Sequence, residues 1–95
     1  MDNFKPLDPL LHSQLRLAVM SILISVESAG FTFLKEKTES TAGNLSVQLD
    51  KLEKAGYITI EKSFKGKRPL TTCKITKNGI DAFETYVNNL KRYID

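Results

Sequence analysis

A mainly α fold with a small β-hairpin (α+β) is predicted by three features of this chain. Apolar residues recur at helical spacing up to residue 56, alternate in steps of two from 57 to 75, and return to helical spacing from 76 onwards. With 95 residues and 41% hydrophobic content, the chain suits a single domain, 1–95, built on one core.

The first helix is expected at about residues 8–27. Asp8-Pro9 suits a helix opening, and Leu11, Leu15, Ala18, Val19, Ile22, Leu23 and Val26 then form an apolar face wide enough to meet both a core and a second surface. Residues 31–56 read as two helices joined by a short turn. Phe31 and Leu34 mark the shorter one, with Thr32 as a candidate cap, and Thr38-Glu39-Ser40 has the length of a helix-turn-helix connection. In the longer one, Leu45, Leu49 and Leu52 share a stripe facing the core, so Gly43, Asn44, Val47, Asp50, Lys51 and Lys54 face outwards. Ser40 or Thr41 can cap its start, and Gly56 suits the left-handed position that closes a helix.

A hairpin is expected over 57–75. Ile58 and Ile60 alternate with Thr59 and Glu61, and Thr71, Cys73 and Ile75 share one face of the return strand. Phe64-Lys65-Gly66-Lys67-Arg68-Pro69 between them has the glycine and proline of a loop. From Lys62 to Lys77 the cations Lys62, Lys65, Lys67, Arg68, Lys74 and Lys77 meet no Asp or Glu. A charge run is usually a solvated face. On a hairpin tip directly after a capped helix it points to phosphate contact, because clustered Lys and Arg release counterions condensed on a nucleic acid. A last helix over 76–94 carries Ile80, Phe83, Val87, Leu90 and Ile94 three and four apart. That stripe is longer than a domain this small readily covers, so its outer part is expected to pair with a two-fold-related copy.

Net charge +3 is only mildly basic, but the excess lies wholly in the half that holds the longer helix and the hairpin. No apolar run approaches the ~18 residues of a membrane span, and the N-terminus lacks the build of a signal peptide, so a cytoplasmic protein without membrane contact is expected. His12 is the only histidine and Cys73 the only cysteine. One chain therefore cannot build a metal site from the usual nitrogen and sulfur ligands, and the dispersed carboxylates suggest no catalytic pair. The expectation is a protein that is not an enzyme and carries no metal or cofactor, with Cys73 as a small buried hydrophobe and His12 in a structural or interface role.

The runs Gly43-Asn44-Leu45-Ser46, Leu49 to Ile58, Lys65 to Pro69 and Lys74-Ile75-Thr76-Lys77-Asn78-Gly79 resemble the small stand-alone winged helix-turn-helix bacterial transcription regulators. These are relatives of the multiple-antibiotic-resistance (MarR) and arsenic-repressor (ArsR) families, and Leu10–Leu23 resembles their first helix. The cysteine-rich metal box of the arsenic-repressor relatives is absent, and the wing reads Lys65-Gly66-Lys67-Arg68 where larger MarR-type regulators carry Asp-x-Arg. The resemblance implies a homodimeric regulator of double-stranded DNA, and it identifies no small-molecule effector.

On these grounds Thr41, Ala42, Gly43, Asn44, Ser46, Val47, Gln48 and Lys51 are expected to enter a major groove. Asn44 and Gln48 are candidates for adenine edges, Val47 for a thymine methyl, and Lys51 for guanine or phosphate. Lys65, Gly66, Lys67 and Arg68 are expected on the backbone or the minor groove. Leu11, Leu15, Phe83, Val87, Leu90 and Ile94 are expected at the dimer interface. A protein-interaction module that reads no base is the alternative, but the outward face of residues 40–56 lacks the aromatic or Met anchors that such a surface favours. A third reading, an RNA binder, lacks the aromatic platform used on single strands.

Overall fold

Thr41 and Thr76 each open a helix with a side-chain oxygen, and the fold is organised around the two helices they start. In the computed structural model, which describes residues 4–94, the order is α1 (Gln14–Val26), β1 (Ser28–Gly30), α2 (Phe31–Thr38), α3 (Ala42–Lys54), β2 (Ile58–Lys65), β3 (Arg68–Ile75) and α4 (Lys77–Ile94). The strands form one antiparallel sheet ordered β1-β3-β2. Four helices with this small sheet make a winged helix-turn-helix.

Thr41 Oγ1 accepts from Asn44 N at 3.2 Å, so of the two candidate caps for α3 it is Thr41 that serves. Ser40 instead pairs its hydroxyl with Thr38 Oγ1 at 2.9 Å in the turn. Beyond the other end of α3, Gly56 takes φ +80° and Tyr57 N donates back to Leu52 O at 3.0 Å, as the leucine-glycine pattern led one to expect. The α2–α3 turn closes the same way, with Glu39 at φ 52° and Ser40 N donating to Lys35 O at 3.2 Å. A non-glycine residue at positive φ is uncommon, and here it lies in the turn between the two helices.

Several expected boundaries are corrected. The first helix begins at Gln14, not near residue 8. Asp8 is spent on a turn, its Oδ1 accepting from Leu10 N at 2.9 Å and its Oδ2 from Tyr57 Oη at 2.5 Å, so the Asp-Pro pair closes a bend onto the start of β2. Leu11 lies in that bend and is fully buried, which makes it core and removes it from any partner-facing surface. Thr32 lies inside α2, whose N-cap is Gly30. The hairpin loop is shorter than its composition suggests. Pairing continues through Phe64↔Pro69 to Lys65↔Arg68, and only Gly66 and Lys67 connect the strands. Gly66 at φ +65° takes the first place of this two-residue turn, where glycine is required by the twist of the flanking strands. Strand β1 has no counterpart in the sequence-based expectation.

Leu23, Leu34, Leu45, Leu49, Leu52, Ile58 and Cys73 form the centre of the core, with Val19 and Met20 from α1 and Tyr86 from α4. Gly79 shows how tightly α4 is set. A Cβ there would stand 2.1 Å from Tyr57 O, so only glycine lets the first turn of α4 lie on the entry to β2. Thr76 fixes the same junction from the other side, its hydroxyl donating to Gly56 O at 2.6 Å and accepting from Gly79 N at 3.0 Å. The N-terminal arm runs to the far end of α4, where the Phe4 ring lies 4.9 Å from that of Tyr93 and Tyr93 Oη donates to Lys5 O at 2.7 Å.

Candidate nucleic-acid interface

The leucine stripe of α3 is buried, so the rest of the helix is free to form a surface. Thr41, Ala42, Gly43, Asn44, Ser46, Val47 and Lys51 are all exposed, and Gln48 is half-buried. Val47, 52% exposed, is the only large apolar side chain on this face, and no aromatic accompanies it. A Cβ at Gly43 would meet nothing within 4 Å, so packing does not require glycine there and the bare backbone of the first turn is open to a ligand.

Ser46 and Asp50 flank α3 on the hairpin side, where they line an open cleft of about 310 Å³ with Phe31, Leu49, Ile60, Lys62 and Thr71. Asn44 and Gln48 lie on the opposite flank, lining a cleft of about 400 Å³ with Ser13, Leu15, Ala18, Thr38 and Ser40. Here the structure adds a residue that the sequence pattern does not single out. Arg16 of α1 donates from Nε to Leu10 O at 2.5 Å and from Nη1 to Gln48 Oε1, and Gln48 Nε2 donates to Asn44 Oδ1 at 3.0 Å. The two outward amides are therefore tethered to one another and to α1. Arg16 and Gln48 are 32 positions apart, and neither helix carries a local pattern that would pair them.

The wing projects its cations into solvent. Every residue from Glu61 to Leu70 is exposed, including Lys62, Lys65, Gly66, Lys67 and Arg68. The ladder puts Lys65 directly opposite Arg68, and like charges so placed repel unless an anion lies over them. Lys62 shares the core-side face with Ile58 and Ile60, while Lys65, Arg68 and Lys74 lie on the other. Phe64, 74% exposed, pairs with Pro69 on the core-side face next to the tip, a feature missed when this segment is read as an irregular loop.

The two titrating groups with clear shifts lie away from this surface. Burial, with a smaller contribution from Glu53, pushes the Cys73 thiol up to about 11, which fits a small core residue. The hydrogen bond to Asp8, then burial and the Asp8 charge, push Tyr57 up to about 12. Among the described residues no cluster of three or more His, Cys, Asp or Glu could hold a metal ion, and no helix is long and apolar enough to cross a membrane. His12 shares a hydrogen bond with Tyr86, Nδ1 to Oη at 2.9 Å, and so takes a structural part.

Comparison with known proteins agrees with this fold. An uncharacterized protein of Methanocaldococcus jannaschii is 38% identical over 76 residues, which is 80% of this chain and 83% of the relative. A transcriptional regulator homologue from Pyrococcus horikoshii OT3 superposes with a TM-score of 0.84 at 29% identity, over 90% of this chain and 85% of that one. A MarR-family transcriptional regulator from Silicibacter pomeroyi shares the fold, with a TM-score of 0.69 at 17% identity over 87% of this chain and 55% of that one. The family model for the winged helix DNA-binding domain matches residues 15–94, α1 through α4. This chain belongs to the winged helix DNA-binding domain family.

Proposed function

We propose that this chain is a transcriptional regulator that binds double-stranded DNA sequence-specifically as a homodimer, with α3 in the major groove and the wing on the backbone or in the adjacent minor groove. One observation carries the reading: a small, polar, exposed face on α3 stands beside a hairpin whose two-residue tip is flanked by Lys65 and Arg68. Phosphate contacts fix register and supply affinity, and base edges supply selection, so the wing and α3 divide the work. On α3, Thr41, Ala42 and Gly43 approach the backbone at the helix start, Asn44, Ser46, Val47 and Gln48 face base edges, and Lys51 reaches guanine or phosphate. At the tip, Lys65, Lys67 and Arg68 contact phosphates and Gly66 gives the turn.

The dimer surface is the outer part of α4, from Phe83, Val87, Leu90 and Ile94, whereas Leu15 lies in the cleft with Asn44 and Gln48 and is not part of it. Ile94 is 72% exposed, and Phe83 and Val87 line an open cleft of about 480 Å³ with Ile24 of α1. Two copies related by a two-fold axis set their α3 helices for half-sites about one duplex turn apart.

Selection of bound fragments from random duplex DNA tests the reading. One enriched pseudo-palindrome is the expected result. Retention of all sequences equally would leave a charge-driven surface without base readout, and no retention would favour an acidic protein partner for the same hairpin.

A further inference from the structure

The hydrogen-bond chain from Arg16 to Asn44 has a polarity that its chemistry fixes. A guanidinium has donors and no acceptor, so only the oxygen of the Gln48 amide can face Arg16 Nη1. Nε2 is then the end that reaches Asn44, and only Oδ1 of Asn44 can receive it, at 3.0 Å. The chain runs one way, from α1 outwards, and ends in the two N–H groups of Asn44 Nδ2 on the exposed face of α3. Its inner end is fixed. Arg16 Nε is bound to Leu10 O, and Leu10 belongs to the bend that Asp8 closes and Tyr57 anchors. The cation at the head of the chain also polarises each bond after it, which makes Asn44 Nδ2 a stronger donor.

This polarity bears on which base Asn44 can read. A bidentate contact to adenine needs both ends of one amide, the oxygen for N6–H and the nitrogen for N7. Gln48 Nε2 takes one of the two lone pairs of Oδ1, which weakens that oxygen as a partner for adenine N6–H and leaves both Nδ2 donors open to the groove. Guanine presents two acceptors in the major groove, N7 and O6, and thymine presents O4. We infer that Arg16 is a positioning residue for base readout: it orients Gln48 and Asn44 so that Asn44 selects guanine or thymine edges over adenine. The inference rests on α3 lying in the major groove and narrows it, replacing the adenine pairing that the amides alone suggest.

The test compares fragments selected from random duplex DNA by the full chain and by three variants. Asn44→Ala identifies the position that Asn44 reads, as the base pair whose preference it erases. At that position the unsubstituted protein is expected to prefer guanine or thymine over adenine by on the order of tenfold, the size of one good base contact. Arg16→Met frees the Gln48 amide to turn over, and adenine is expected to recover there while the other positions keep their preferences. A purely structural Arg16 would lower affinity for every sequence alike and shift no single position, which would overturn the inference. Asn44→Asp guards against loss of folding, since Asn44 is exposed. Its carboxylate still receives Gln48 Nε2 but offers only acceptors to the groove, so preference is expected to move to cytosine, whose N4–H₂ donates. Adenine in the unsubstituted protein, or a preference untouched by Asn44→Ala or by Asn44→Asp, would overturn the inference and leave α3 as the reading helix. Failure to enrich any sequence would overturn both.

Discussion

Tyr57 joins three parts of the molecule through one residue. Its backbone oxygen lies under Gly79 of α4, its amide closes α3, and its hydroxyl donates to Asp8 in the bend before α1. The bend leads through Leu10 O to Arg16, so the hydroxyl also supports the amides on the surface of α3. Because the hydrogen bond holds Tyr57 in its neutral form and raises its pKa from 10 to about 12, the sign of the pH effect follows. The contribution to stability is fully present below about pH 10 and is lost as pH rises towards 12. Melting followed by circular dichroism should show Tyr57→Phe less stable than the unsubstituted protein at pH 8, with the difference shrinking between pH 10 and 12. A difference that stays constant across this range would show that the Asp8 bond contributes nothing to folding.

Among the elements, the wing is the one whose job can be separated by salt. Its cations are exposed and close to one another, so for every phosphate left without its cation the dependence of binding on salt should flatten by roughly 0.9 log units of slope. Changing Lys67 and Arg68 to Ala together should weaken binding to all duplexes by similar factors, as measured by titration at several salt concentrations. A changed sequence preference with an unchanged slope would make the tip a base reader. The elements also differ in how far they are legible in the sequence. Helix α3 is legible because local chemistry bounds it at both ends, Thr41 at the start and Gly56 at the close, with a leucine stripe between. The hairpin is legible from its alternation, but its length is not, since composition marks Phe64 to Pro69 as loop while cross-strand pairing carries the ladder to Lys65 and Arg68. Strand β1 is three residues long and exists only because β3 is there to pair with it, Ala29 opposite Cys73. The start of α1 is misplaced by local pattern for a similar reason: Asp8 finds its partner in Tyr57, 49 residues away, and that contact outweighs the local preference of Asp-Pro for opening a helix. The outward face of α3 follows from periodicity, whereas the Arg16 tether to it depends on α1 packing across α3 and leaves no trace in either helix.

At the scale of the whole molecule, shape and uncovered surface belong together. The radius of gyration is 14.4 Å, against about 12 Å for a compact chain of this length, and the extents are 58 × 25 × 21 Å. The wing and α4 account for the elongation. An 18-residue helix is about 27 Å long, and the far end of α4 carries Ile94 and Tyr93 towards solvent, where the Phe4–Lys5 segment of the arm lies against Tyr93. Stable dimers bury apolar surface of this kind, and burying an unpaired charge within it is strongly disfavoured. Sedimentation at micromolar concentration should therefore give a dimer, and Ile94→Asp should move it towards monomer. Since Ile94 is 72% exposed within one chain, that substitution should leave the helical circular-dichroism signal and the melting of the single chain nearly unchanged. Val87→Asp should weaken the dimer further, and because Val87 also packs against the core it should lower the melting temperature as well. The loss of pairing should be felt on DNA as a loss of preference for two half-sites over one, while each half-site is still recognised. A chain that remains monomeric at every accessible concentration would remove the paired-helix arrangement, and α4 would then be a surface awaiting a different partner.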